Sequence, residues 1–447
     1  MIEVLFIALE FAPVQQTGAF RSIKFAKYLP EHGIRPVVVT IDPQASSEIF
    51  GAPINLALKE DLGYEPATYY LEDDKPIARE ESKLQAFLRV LLRTDDRFYE
   101  RLRRSFEAQI QELVGKHSLK AIYVSLPPFG ASRLALDALQ KTGLPLVVDM
   151  RDAWSQWANS PFPTYWHYRA ARGQERELLS RASAMLTVTD ELSQMFQDAH
   201  PGVPKDRFHV VPNGIDYDFP ERLDCAWGDD EDRFKVAYVG SYYYDPVAEA
   251  NRSKRWFQRK PHRWLNYMSV YQEWIYRSPH FFFAAIEKLR ETDPDAAEKF
   301  EFHQIGRTPD WLKSMADRFG MGEQLISHGV LPHDEVIATL DTMDACLVTS
   351  LKVPGGADYC LASKTFDYIQ AHKLLLGFVA EGSQRKFLEA VHGSVICPPD
   401  AAVENAQKLS RIAKKLDRFN FCKDELKKYR RCATAGALAN IVLSTLR

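Results

Sequence analysis

The chain has 447 residues and a mass of 51.1 kDa, with 46% apolar and 26% charged residues, the balance of a folded protein of two or three domains, two being the simplest division. Its 57 Lys and Arg against 60 Asp and Glu leave a net charge of −3, which excludes a globally basic nucleic-acid binder but not a local basic patch. Six Cys, at 225, 346, 360, 397, 422 and 432, form no Cys-x-x-Cys pair and none stands with His at zinc-ligand spacing, so buried free thiols in a reducing compartment are expected.

The start, Met1-Ile2-Glu3-Val4-Leu5-Phe6-Ile7-Ala8, lacks a basic segment and a cleavage site and reads as a first strand rather than a signal peptide. No apolar run approaches the roughly 20 residues needed to span a bilayer. A short apolar run, a loop and an amphipathic helix then repeat along the chain. Buried strands are expected at Val4–Ala8, Pro36–Ile41, Lys120–Ser125, Leu146–Met150, Ala184–Val188 and Phe208–Val211. Helices fit at 19–32, 131–141 and 164–181, and a further helix-like stretch, 83–114, mixes apolar residues with Arg89, Arg93, Arg97, Arg101, Arg103 and Arg104.

Pro212-Asn213-Gly214-Ile215-Asp216 is turn chemistry, and Phe234 opens a second series of strands. These are expected at Phe234–Val239, Phe300–Ile305, Leu325–Gly329, Ala345–Val348, Leu374–Val379 and Ser394–Cys397, with helices at 280–292, 310–319, 333–341 and 363–371. The expected division is 1–215, 216–422 and a helical tail 423–447, each of the first two being a doubly wound α/β domain.

Ligands of such sheets bind outside the carboxyl ends of the strands. After the first strand, Gly18 precedes a helix whose backbone N–H groups suit an anion or a sugar hydroxyl, although an ordinary helix cap explains it equally. The fourth run ends in Asp149-Met150-Arg151-Asp152, charges that must be paired or used at a strand terminus. In the second half, strands end at Gly240-Ser241 and at Gly306-Arg307. A Gly-rich loop leads to Ser363-Lys364-Thr365-Phe366-Asp367 at a helix start. A Lys there is unfavourable until a phosphate binds, and Asp367 on the same face suits ribose hydroxyls; a surface Lys–Asp pair is the plainer alternative.

These pieces together resemble a GT-B glycosyltransferase of the family 4 type that builds bacterial surface polysaccharide or glycolipid. They are Phe6–Arg21, Lys24–Leu29, Ser125–Pro128, Asp149–Trp154, Val211–Asp216, Val239–Tyr242, Ile305–Arg307, His328–His333 and Ser363–Tyr368. The resemblance implies two Rossmann-like domains facing across a cleft, with C-terminal helices returning to the first. It also implies a nucleotide-diphosphate sugar as substrate, held mainly by the second domain, and transfer with retention and no bound metal or other cofactor. Asp216-Tyr217-Asp218 and Asp293-Pro294-Asp295 are then not metal ligands. On this reading Gly18, Gly240, Ser241, Gly306, Arg307, Lys364 and Asp367 bind the donor. Arg277, aligned across an insertion with the family's usual Lys, joins Lys364 and Asp152 as catalytic groups, and Thr17, Arg21, Asp149 and Arg151 lie on the acceptor side. The sequence departs from the family at Gln15-Gln16-Thr17-Gly18, where a Gly-Gly loop is usual, and at Tyr359, where a Glu is usual.

The insertion, 243–277, is basic and aromatic. Residues 250–272 hold Arg252, Lys254, Arg255, Arg259, Lys260 and Arg263 with no acid, interleaved with Trp256, Phe257, Trp264, Tyr267 and Tyr271. Such a mixture suits an anionic surface, with Arg255, Arg259, Lys260 and Arg263 as its patch; a solvated helical face is the plainer alternative. The expected function is a cytoplasmic sugar transferase, peripheral at the inner face of the membrane, acting on a cell-envelope glycan or lipid-linked acceptor and not on nucleic acid. A GT-B nucleotide-sugar epimerase or hydrolase, or a non-catalytic glycan- or partner-binding protein, remains the alternative.

Overall fold

The computed structural model describes residues 1–73, 97–156, 158, 161–219, 223–230, 232–260 and 263–446. The chain divides into two compact units. One comprises Met1–Asp216, Lys260–Val270 and Tyr429–Arg447; the other comprises Tyr217–Arg259 and Tyr271–Lys428.

In the N-terminal unit the strands are β1 (Ile2–Ile7), β2 (Ile34–Ile41), β3 (Ala67–Leu71), β4 (Leu119–Leu126), β5 (Leu146–Met150), β6 (Ala184–Thr187) and β7 (Phe208–Val210). They form a parallel sheet in the order β3-β2-β1-β4-β5-β6-β7, so the winding reverses between β1 and β4. Every residue of β5 is buried, as a strand covered on both faces requires. Edge strand β3 was not anticipated. Its Ala-Thr-Tyr-Tyr-Leu is mostly half-exposed and carries no apolar run, and pairing with β2 from Val37↔Ala67 to Ile41↔Leu71 forms it.

The C-terminal unit has β8 (Phe234–Val239), β9 (Phe300–Ile305), β10 (Leu325–Gly329), β11 (Ala345–Thr349), β12 (Leu374–Phe378) and β13 (Ser394–Ile396). All pairs are parallel, in the order β10-β9-β8-β11-β12-β13, with the reversal between β8 and β11. Helices used below are α1 (Thr17–Tyr28), α2 (Arg97–Lys116), α3 (Tyr165–Arg181), α4 (Asp190–Ala199), α5 (His280–Thr292), α6 (Lys364–Gln370) and α7 (Arg431–Ser444).

The two cores follow from the apolar periodicity. Val4, Phe6, Ala121 and Tyr123 of the first sheet pack with Ile23 and Phe25 of α1 and with Ala435, Leu438 and Val442 of α7. Phe234, Phe300 and Phe302 of the second sheet pack with Phe282, Phe283 and Ile286 of α5. In α2, Leu102, Phe106, Ile110 and Leu113 recur on one face and are buried, each contributing about 2 kcal/mol of apolar burial. Of its arginines, Arg101 pairs with Asp73 and Arg103 with Glu107. Those two cations are therefore spent on neighbouring carboxylates; residues 83–96 of the expected helical stretch lie outside the described residues. All six Cys are free thiols, with Cys346 and Cys397 buried and the others half-buried. Among the described residues no helix is long and apolar enough to cross a membrane.

Candidate active site

In the N-terminal unit the ends of β1, β4 and β5 meet beside the start of α1. Arg21 and Asp149 stand beneath this surface, 4% and 0% exposed. Arg21 Nε donates to Asp149 Oδ2 at 2.8 Å and Nη2 to Oδ1 at 3.0 Å. The same guanidinium donates to the carbonyls of Val211 and Pro212, both at 2.8 Å. Tyr123 OH donates to Asp149 Oδ2 at 2.7 Å, and burial with the adjacent carboxylate pushes its hydroxyl pKa well up. Arg21 and Asp149, expected on the acceptor side, are instead sealed within the unit. Their bonds are spent on each other and on the chain at 211–212, because a bidentate pair is the arrangement that makes two buried charges tolerable.

Arg151 remains nearer the surface. Its Nη2 donates to Glu10 Oε2 at 2.7 Å and to the Pro127 carbonyl. Gly18 is the residue that makes room for this pair. A Cβ there would lie within 1.7 Å of Glu10 Oε2 and 2.3 Å of Arg151 Nη1. The anion expected at Gly18 is thus met first by an internal carboxylate, Glu10, which the sequence reading did not single out. Thr17 is exposed at the start of α1, and Asp152 is half-exposed just beyond β5. The loop carrying Asp152 is held from behind. Glu175, fully buried on α3, accepts from Ser155 N and Ser155 Oγ, both at 2.8 Å, from Gln156 Nε2 at 3.0 Å, and pairs with His200 Nε2. Trp154 stacks on Phe129 with centroids 4.7 Å apart.

In the C-terminal unit the site is built where β8 parts from β11. These strands pair at Ala345↔Val236 and Cys346↔Ala237, and α6 takes up the backbone that follows. Val239 N donates to Tyr368 OH at 2.9 Å, and Lys364 Nζ donates to Val239 O at 2.8 Å. Lys364 Nζ also lies 3.9 Å from the ring centroid of Tyr238, a cation–π contact. One of its three N–H donors is used on Val239, leaving donors for a ligand. Gly240, with φ +98°, and Gly306, with φ +120°, bring two strand ends together. A Cβ on Gly306 would stand 3.2 Å from Gly240 Cα. Gln304 Nε2 locks the turn by donating to Gly240 O at 2.8 Å. Ser241 and Arg307 are exposed beside these glycines, and Asp367 is exposed on the first turn of α6.

Arg277 ends a short 3₁₀ turn, Trp274–Arg277. It stacks on Tyr243 at 4.6 Å, and its Nη2 lies 3.7 Å from Cys360 Sγ. The insertion therefore returns the chain so that Arg277 touches the loop leading to Lys364. That loop is pinned by Asp358, whose Oδ1 accepts from Cys360 N at 2.9 Å and whose backbone bonds Glu381 and Ser383. Gly382 permits this closeness: its φ is +140°, and a Cβ would lie 2.3 Å from Asp358 N and O. Gly382→Ala is expected to cost about 1–3 kcal/mol in backbone strain alone, with the clash added. A thermal melt would register it as a clear fall in Tm.

Of the basic insertion, Arg255 and Arg259 belong to the C-terminal unit and Lys260 and Arg263 to the N-terminal one, so the expected patch is not one surface of one unit. Arg259 is folded back onto the carbonyls of Lys254 and Arg252, both at 3.0 Å, and Arg252 lies 4.0 Å over the Trp274 ring. These two cations hold the insertion together. Of the two Asp-x-Asp strings, Asp216 pairs with Lys24, while Asp293 caps the helix Pro294–Lys299 through Ala296 N at 3.2 Å and accepts from Ser410 Oγ at 2.6 Å. Among the described residues no three His, Cys, Asp or Glu side chains group closely enough to hold a metal ion.

Two parallel doubly wound sheets, each reversing its winding once, are the architecture of the GT-B fold. Residues 24–214 match the family model described as a glycosyl transferase 4-like domain, so the N-terminal unit carries that domain. Solved structures resemble the whole chain. The lipopolysaccharide outer core galactosyltransferase WaaB, in its apo form, is 10% identical with a TM-score of 0.55, over 99% of each chain. HepE of Anabaena, solved with UDP and glucose, is 13% identical with a TM-score of 0.50, over 100% of this chain and 97% of its own. The N-terminal domain of trehalose-6-phosphate phosphatase from Candida albicans is 12% identical with a TM-score of 0.57, over 99% and 97%. No curated protein is similar enough in sequence to count as a relative.

Proposed function

We propose that the protein transfers a sugar from a nucleotide-diphosphate donor to a cell-envelope glycan or lipid-linked acceptor, with retention and without a bound metal or other cofactor. The observation that carries the reading is Lys364, fixed on Val239 and Tyr238 at the mouth of the two close-packed glycines, Gly240 and Gly306. Gly240 and Gly306 leave space for a diphosphate against the backbone, and Ser241 and Arg307 border it. Lys364 and Arg277 supply positive charge where the leaving group becomes more negative, so no metal is needed for that purpose. Stabilisation that grows toward the transition state lowers the barrier. Asp367 accepts from the ribose hydroxyls. On the acceptor side, Asp152 and Thr17 offer polar contacts above the Glu10–Arg151 pair. WaaB and HepE, a galactosyltransferase and a UDP complex by their descriptions, support a nucleotide-sugar reading by their shared fold. We place the protein in the cytoplasm, peripheral at the inner membrane face.

Incubation with a panel of labelled nucleotide-sugars, with and without membrane extract, tests this. Label moving into the extract supports transfer. Nucleotide release without a glycosylated product would point instead to a hydrolase or epimerase. Within this reading, Asp367→Asn should weaken nucleotide binding by about 1–3 kcal/mol, the loss of a charge-assisted hydrogen bond, with the fold intact. Calorimetry measures it, and unchanged affinity would remove Asp367 from the site.

A further inference from the structure

We propose that the N-terminal unit carries a docking face for an anionic lipid monolayer, made jointly by the exposed side of α3 and the turn Arg263-Trp264-Leu265. This deepens the peripheral-membrane part of the reading above and is independent of sugar transfer.

The start of α3 is fixed by Thr164, whose Oγ1 accepts from Trp166 N at 3.2 Å and His167 N at 3.3 Å. That cap turns Tyr165 and Trp166 outward, with Trp166 72% exposed. Arg169, Gly173 and Arg176 follow at spacings of three, seven and ten from Trp166 and are all exposed, so aromatic tip and cations share one helical face. The flanking acid, Glu177, faces Arg181 at 3.6 Å.

The insertion adds the second half of the face. Tyr267 exchanges backbone hydrogen bonds with Phe162 in both directions, at 2.8 and 3.0 Å. Its ring packs on Tyr168 at 4.8 Å and Tyr165 at 5.0 Å, and Ser269 Oγ donates to Ser155 O at 2.6 Å. The chain just before Tyr267 is thereby held at the start of α3. Arg263, Trp264 and Leu265 are all exposed there, with Lys260 close by in the chain. Arg169, Arg176, Lys260 and Arg263 make no ion pair among the described residues.

The chemistry selects the partner. A free phosphate would match the cations alone; an anionic glycan would match the cations and stack a sugar ring on a Trp, but gains nothing from the outward Leu265, which is 59% exposed beside Trp264. A monolayer matches both, because Trp and Tyr settle at the headgroup level and Lys and Arg meet anionic lipid. Helix α2, whose Arg101 and Arg103 are paired with Asp73 and Glu107, is not part of the proposed face.

The test is flotation of the full chain with phosphatidylglycerol-rich vesicles and with pure phosphatidylcholine vesicles. One variant combines Trp166→Ala, Arg169→Glu and Arg176→Glu; a second combines Trp264→Ala and Leu265→Ser. All five residues are exposed, so circular dichroism and melting should match the unaltered protein. The unaltered protein should partition to the anionic vesicles, and the first variant should lose at least tenfold, each cation near the surface being worth about fivefold. The second variant should lose severalfold. Both variants floating like the unaltered protein would overturn this face while leaving peripheral attachment elsewhere. No binding of the unaltered protein to anionic vesicles, equal binding to neutral ones, or capture by an anionic polysaccharide instead would overturn the membrane reading as a whole. Transfer to a soluble acceptor, measured alongside, reports separately on the enzyme.

Discussion

Lys364→Ala is expected to lower single-turnover sugar transfer by about 10²–10³, the usual effect of removing one donor aimed at developing negative charge. Donor affinity should change less, because the interaction strengthens as the glycosidic bond to the diphosphate breaks. Lys364 is half-buried, donating to Val239 O at 2.8 Å and resting on Tyr238, so its ammonium is already positioned before any ligand arrives. Nothing must be ordered at the moment of reaction, which is the condition under which such a charge is most effective. Arg277→Ala should act in the same direction, its guanidinium being steadied by Tyr243. Wild-type rates for Lys364→Ala would break the donor-site assignment. Wild-type rates for Arg277→Ala alone would break only the alignment across the insertion.

Arg21→Met should destabilise the protein by about 3–5 kcal/mol, the cost of leaving one partner of a buried ion pair uncompensated. Asp149 is fully buried, and after the change only Tyr123 OH would still donate to it. The carbonyls of Val211 and Pro212 would also lose their donor, loosening the chain where it leaves the first sheet. Arg21→Lys should recover part of the loss, since an ammonium cannot form the two-pronged bond and still reach both carbonyls. Guanidinium unfolding followed by far-UV circular dichroism measures both. A surface role for Arg21 on the acceptor side predicts instead a shift of less than about 0.5 kcal/mol.

The two sheets were legible because burial on both faces writes itself as uninterrupted apolar runs, such as Leu-Val-Val-Asp-Met in β5 and Leu-Leu-Leu-Gly-Phe in β12. Edge strand β3 escaped because pairing on one side needs no such run. The glycines at strand ends were also visible, and Gly240 and Gly306 do meet, with Lys364 at the same place. What could not be read was which charge answers which. Arg21 and Asp149 are separated by 128 positions, and nothing local says that they bond each other rather than a ligand. Glu10 and Arg151, and Gly382 with Asp358, are unions of the same kind, made by topology between distant loops. The one prior signal was indirect. Glu10 directly follows the first apolar run, and Gly382 stands just beyond the β12 run.

The segment Lys260–Val270 lies in sequence within the second unit but packs in the first. The C-terminal unit is consequently not a cassette. Exchanging residues 217–428 as a block with those of another GT-B protein would graft a foreign loop onto Phe162, Tyr168 and Ser155. Those residues would lose the backbone pairing, the ring and the hydroxyl that now meet them. A chimera that keeps 260–270 with its own N-terminal half, and changes 217–259 and 271–428 around it, preserves every one of those contacts. Lineages that exchange the C-terminal unit by recombination should therefore break on both sides of this short stretch rather than once at the linker.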